Sequence, residues 1–117
     1  MVLVDTSVWI DHLRTHDERM AAHLQRSEVV VHPFVVGEMA LGRLRRRDEV
    51  VLLLSRMPQA PVASHSEVLA FIEGRALSGK GIGYVDTHLL ASALLAGAVL
   101  WTRDKHLYAI AASLGIA

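Results

Sequence analysis

Val2-Leu3-Val4-Asp5-Thr6-Ser7-Val8-Trp9-Ile10-Asp11 is the stretch from which the fold of this chain can be read. Three apolar residues run straight into an acid and two hydroxyls, and a Trp/Ile pair follows at helical spacing. A short apolar run without alternation suits a strand buried on both faces, as in a parallel sheet. The change of period after Asp5 predicts a helix from Thr6, with Val8, Trp9 and Leu13 on its inner side. In open α/β sheets, chemistry sits just beyond the carboxyl ends of the strands. Asp5 therefore stands where a site is expected.

The same grammar repeats along the chain. Thr15 followed by Glu18 predicts a capped second helix with Met20, Ala21 and Leu24 inward. Residues 28–32 carry Val29-Val30-Val31, a second buried strand. Pro33 suits the first turn of the next helix, where its missing N–H is no loss. Residues 48–57 form a helix that is apolar on most sides, which suggests a partner as well as a core. Between Pro58 and Ser66, residues 61–63 are expected as a short strand, and residues 66–78 as an amphipathic helix. Gly79 to Gly83 is a flexible connection. Asp86 opens a helix with Leu89, Leu90, Ala93, Leu94 and Gly97 along one stripe. Residues 98–101 form the last clear strand, and Leu107, Ile110, Ala111 and Leu114 mark a closing helix. Strands alternating with helices imply right-handed crossovers and an α/β fold, an α/β/α sandwich around a mostly parallel sheet.

Length and composition bound the rest. A chain of 117 residues is expected to form a single domain over 1–117 with one core. Apolar residues make up 52% and charged residues 21%, so the chain folds rather than remaining disordered. Twelve basic and twelve acidic side chains cancel, so a nucleic-acid partner has to be argued from local patches. The absence of cysteine excludes disulfides, thiolate metal sites and a cysteine nucleophile, and fits a cytoplasmic location. Residues 89–101 are nearly all apolar, but the run is too short to span a membrane and Gly97 divides it.

Four acids stand out. Asp5 and Asp104 directly follow apolar strands, Asp86 begins a helix, and Glu38 lies on an apolar helix face beside Val35 and Met39 at helical spacing. An unpaired carboxylate on such a face is costly to bury, so Glu38 faces a cation or the wet edge of the stripe. Oxygen ligands without sulfur point to a hard cation, Mg²⁺ or Mn²⁺. Clustered carboxylates repel one another until a divalent ion relieves them, and ions held this way activate water for phosphodiester hydrolysis. Taken singly, Asp5, Asp86 and Asp104 are as easily helix caps. Glu38 has no capping explanation.

The motifs carrying these acids resemble those of PIN-domain ribonucleases. They are Val-Leu-Val-Asp-Thr-Ser at the start, Val-Val-Gly-Glu-Met around Glu38, Gly-Ile-Gly-Tyr-Val-Asp-Thr-His-Leu-Leu around Asp86, and Leu-Trp-Thr-Arg-Asp-Lys-His-Leu around Asp104. Four such motifs in order cover nearly the whole chain, and they are most similar to VapC-type toxins of bacterial toxin–antitoxin modules. The resemblance implies a PIN-like fold and an endoribonuclease that needs Mg²⁺ or Mn²⁺. It implies Asp5, Glu38, Asp86 and Asp104 as catalytic and metal-binding acids, supported by the hydroxyls of Thr6, Ser7 and Thr102. It also implies a homodimer and a cognate VapB-type antitoxin. The RNA is expected to be single-stranded or a loop, where bases can be splayed, with tRNA one candidate. Many relatives carry a further acid two residues beyond the position of Asp104; here that residue is His106, so the acidic set is four. The family's last edge strand is expected to be short or missing.

Arg103 and Lys105 flank Asp104 and are candidates to hold RNA phosphates. Arg43, Arg45, Arg46 and Arg47 could do the same or form a solvated helix end. No histidine is assigned a catalytic role, and Trp9 and Trp101 are expected in the core. The run from Gly79 to Gly83 lacks the context of a phosphate-binding loop and is expected to act as a hinge. Two other functions fit parts of the pattern. A phosphatase of the haloacid-dehalogenase type also begins with a strand ending in Asp, but its second Asp is replaced here by Ser7. A degenerate domain that only binds protein or RNA would not need all four acids.

Overall fold

The computed structural model describes residues 1–117. Its centre is a three-stranded parallel sheet in the order β2-β1-β3, formed by β1 (Val2–Val4), β2 (Val29–Val30) and β3 (Val99–Trp101). β1 lies in the middle, pairing Val2 with Val29 on one side and with Val99 on the other. Leu3, Val4, Val30 and Leu100 are buried, as near-continuous apolar strands in a covered parallel sheet should be.

Seven helices complete the α/β architecture: α1 (Thr6–Arg14), α2 (Glu18–Gln25), α3 (Pro33–Leu41), α4 (Arg47–Arg56), α5 (His65–Gly74), α6 (Tyr84–Ala96) and α7 (Lys105–Ser113). α6 is the most deeply set, with every residue from Thr87 to Ala93 buried. It ends on Gly97 in the left-handed region at φ 62°, where a side chain would be strained, and the chain turns there into β3. The connections from β1 to β2 and from β2 to β3 run in opposite directions across the sheet. The strand order therefore switches at β1, and the carboxyl ends of β1 and β3 open onto the crevice that such a switch creates.

Several local expectations are corrected. Leu13 is exposed at 44% rather than packed inward. The second helix is capped by Asp17, whose side chain accepts from the Met20 N–H, because Thr15 already closes α1 with its own N–H on the Asp11 carbonyl. Residues 61–63 form no strand. That loop contributes only an isolated bridge between Val31 and Gln59, and Pro61 has no N–H to extend it. α5 starts earlier and stops at Gly74, not Ser78. At the far edge of β3, one bond from the Leu100 N–H to the Ile116 carbonyl, 2.7 Å, stands where a further strand would pair.

Candidate active site

Each acid is placed by the local structure that its own side chain helps to make. Asp5 ends β1 and caps α1. Its Oδ1 accepts from the Thr6 N–H at 2.8 Å. Its Oδ2 accepts from Thr102 Oγ1 at 2.7 Å and from Ser7 Oγ at 3.2 Å. Asp104 follows β3 and caps α7, with Oδ1 taking the Leu107 N–H at 2.9 Å. Its own N–H donates to Thr102 Oγ1 at 3.1 Å. Thr102 thus ties the ends of neighbouring strands together, donating to one acid and accepting from the backbone of the other. Asp86 sits in the first turn of α6, and its Oδ2 accepts from the Gly83 N–H at 3.1 Å. The capping and catalytic explanations are therefore not rivals. One oxygen of each aspartate is spent on a helix start, which leaves Oδ1 of Asp86 and Oδ2 of Asp104 without a protein partner.

Glu38 is exposed on α3, at the wet edge of the face that buries Val35 and Met39. Its Oε1 accepts from Thr6 Oγ1 at 2.8 Å, which links it to the residue that follows Asp5. The three aspartates meet electrostatically. The Asp86 carboxyl is pushed above its ordinary value, chiefly by burial and then by the negative charges of Asp5 and Asp104, against the pull of the Gly83 N–H.

No three His, Asp or Glu side chains close on one point tightly enough to cage an ion by themselves. The all-oxygen chemistry and the mutual repulsion instead suit a hydrated hard cation. Mg²⁺ keeps several of its waters and is commonly held by only one or two carboxylates. An all-oxygen donor set with free lone pairs on Asp86, Asp104 and Glu38 fits such an ion.

The basic candidates divide. The guanidinium of Arg103 is held by Asp11 at 2.7 Å and Asp17 at 3.1 Å, and it lies over the Trp101 ring, so a phosphate would have to compete for it. Lys105 is exposed and free of ion pairs. Arg47 reaches the Ala40 carbonyl and Asp48, and Arg46 faces Glu49. Arg43 and Arg45 make no ion pair. The sequence reading missed His32, which is fully buried and caps α3, its Nδ1 accepting from the Phe34 N–H at 2.9 Å. Its place immediately before Pro33 was the available signal.

A family model described as PIN domain matches residues 2–113. Among curated proteins, the chain is 51% identical over 118 residues to "Ribonuclease VapC32" of Mycobacterium tuberculosis strain CDC 1551 / Oshkosh, covering 100% of this chain and 95% of that protein. The protein of the same name from strain ATCC 25618 / H37Rv matches to the same extent.

Proposed function

The chain belongs to the PIN domain family, and from that premise we propose that it is a divalent-metal-dependent endoribonuclease, the toxin of a toxin–antitoxin pair. The observation that supports the reading is the placement of Asp5 and Asp104 just beyond the ends of the neighbouring strands β1 and β3, joined through Thr102, with Asp86 close enough that their charges add to the upward push that burial already gives its carboxyl. Asp86, Asp104 and Asp5 would hold Mg²⁺ or Mn²⁺, with Glu38 reaching it directly or through water. Held there, such an ion would supply Lewis acidity and lower the pKa of a bound water. The protein's own part is to fix the carboxylates. Thr102, Ser7 and the Thr6 N–H hold Asp5, the Leu107 N–H holds Asp104, and Thr6 Oγ1 steadies Glu38. In-line attack would leave a 5′-phosphate and a 3′-hydroxyl on single-stranded or loop RNA.

The relatives named ribonuclease support the choice of substrate class. A groove of about 750 Å³ brings Arg43, Arg45 and Arg46 together with Leu13, Leu44, Val50 and Leu53. That mixture of cations and leucines fits a protein segment better than bare phosphate, and we assign it to the cognate antitoxin. Exposed Leu94 and Leu95, beside Phe71 and Ala63, form the apolar patch we assign to a second copy of the chain. No helix is long and apolar enough to cross a membrane. The test is cleavage of RNA by the purified chain with Mg²⁺, with EDTA, and with Asp5→Asn. EDTA should abolish cleavage, and the substitution should reduce it by on the order of 10²-fold or more while the circular dichroism is unchanged. A variant cutting near the parent rate would overturn the assignment.

A further inference from the structure

The chain contains two lysines, Lys80 and Lys105, and both line one groove. Arg75 joins them, with His106 and Ser113, in a space of about 390 Å³ that has no acid in its wall. One side is the segment between α5 and α6, and the other is α7. None of the three cations makes an ion pair, and all are exposed. In a chain of zero net charge this is a local concentration of positive side chains with no acid in the wall that holds them.

The groove is a built feature. The connection before α6 bends through Gly79 and Gly81, both in the left-handed region at φ 73° and 81°. The His106 ring lies against Gly81 so closely that a Cβ there would come within 3.2 Å of Cγ and Nδ1. That contact sets the Lys80 backbone against the first turn of α7. Both walls also lead into the site. The connection runs on to Gly83, whose N–H holds Asp86, and α7 begins at Asp104. From Lys105 to Ser113 the helix wall extends about 12 Å at the usual rise, long enough to face more than one phosphate of a strand lying along it.

We propose that the groove between this connection and α7 is a phosphate-binding track for the RNA backbone, in which Arg75, Lys80 and Lys105 hold the strand beyond the bond being cut. The inference rests on the ribonuclease reading for its choice of ligand and extends it to residues outside the acidic site. The phosphodiester backbone suits the groove because its contacts are cationic and without base-reading geometry.

The test is binding of a fluorescein-labelled single-stranded oligouridine in EDTA, followed by anisotropy over a series of salt concentrations. Replacing Arg75→Gln and Lys80→Gln together should flatten the plot of log affinity against log salt by about 1.4, at about 0.7 for each cation lost from a single-strand contact. Lys80→Arg should keep the parent slope, whereas a role in holding the fold would not be rescued by charge. Arg26→Gln with Arg56→Gln, two exposed cations elsewhere, should leave the slope in place, and thermal melts check that every variant is folded. A doubly substituted chain with the parent's slope overturns the track. So does a parent chain that binds no RNA. Cleavage with Mg²⁺ is scored separately. A parent that cuts RNA but shows no slope change on substitution loses the track and keeps the ribonuclease reading. A parent that does not cut, yet loses slope on substitution, loses the ribonuclease reading and keeps the RNA-binding groove.

Discussion

At Asp5, a single carboxylate accepts from one backbone N–H and two hydroxyls, and the shortest of these bonds reaches across 97 positions to Thr102. Thr102 is itself buried, so in the proposed site it would act through Asp5 and not on the RNA. Thr102→Val keeps the shape and removes the hydroxyl. It should lower kcat/KM by about 10–100-fold, as loss of a group that orients a metal ligand does, and destabilise the fold by about 1–3 kcal/mol. Kinetics and a denaturant midpoint would read the two effects, and unchanged kinetics would remove the orienting role. His32 makes a different prediction. Burial, and secondarily the neighbouring His88, holds it at about 4 against an ordinary 6.5. Between those values the unfolded chain binds the proton and the folded chain does not, so stability is complete above about pH 6.5 and drains away as pH falls toward 4. The loss approaches ~3 kcal/mol. His32→Asn can still cap α3 but cannot titrate, so its Tm should fall less over that window; parallel Tm curves would contradict this account. The acids were legible because each broke a pattern, Glu38 most of all. His32 was not, because histidine is outside the usual set of capping residues.

Helix starts show which local signals dominate. The hydroxyl-to-Glu spacing at Thr15 and Glu18 promised a capping box, but Thr15 is committed to ending α1 and Asp17 takes the role. The true box is Ser64 with Glu67. Ser64 Oγ accepts from the Glu67 N–H, and Glu67 Oε1 accepts from the Ser64 N–H at 2.8 Å. Ser64→Ala should cost about 1 kcal/mol and lower Tm by about 4 °C in a chain of this size, which calorimetry would detect, while leaving RNA cleavage intact. The three strands of the sheet and the order of the helices were legible from apolar period with Pro and hydroxyl signals, whereas the short apolar run at residues 61–63 was read as a strand that does not form. Ends did not, since they depend on which donor and acceptor pair up after the chain has folded. Gly74 was a stop signal for α5 that the continuing apolar pattern to Leu77 concealed.

For the whole molecule, zero net charge hid a strongly uneven surface. Acids gather at one crevice, and the lysines line a groove beside it. Such a separation cannot be read from composition, because residues 75, 80 and 105 meet only through the fold. The repulsion at the crevice predicts that Mg²⁺ stabilises the folded chain. At a concentration 100 times its dissociation constant, the gain should be about 2.7 kcal/mol, visible as a rise in Tm that EDTA reverses and that Asp5→Asn diminishes. No rise in Tm would count against an ion bound by these carboxylates. The central place of β1 carries one last consequence. Its two partners both come later in the chain, and the bond that seats Asp5 needs residue 102. A chain whose third strand has not yet docked has no neighbour to seat Asp5 and no Asp104 beside it. On the proposed function, cleavage would therefore arrive with the closing of the sheet, not with the forming of helices.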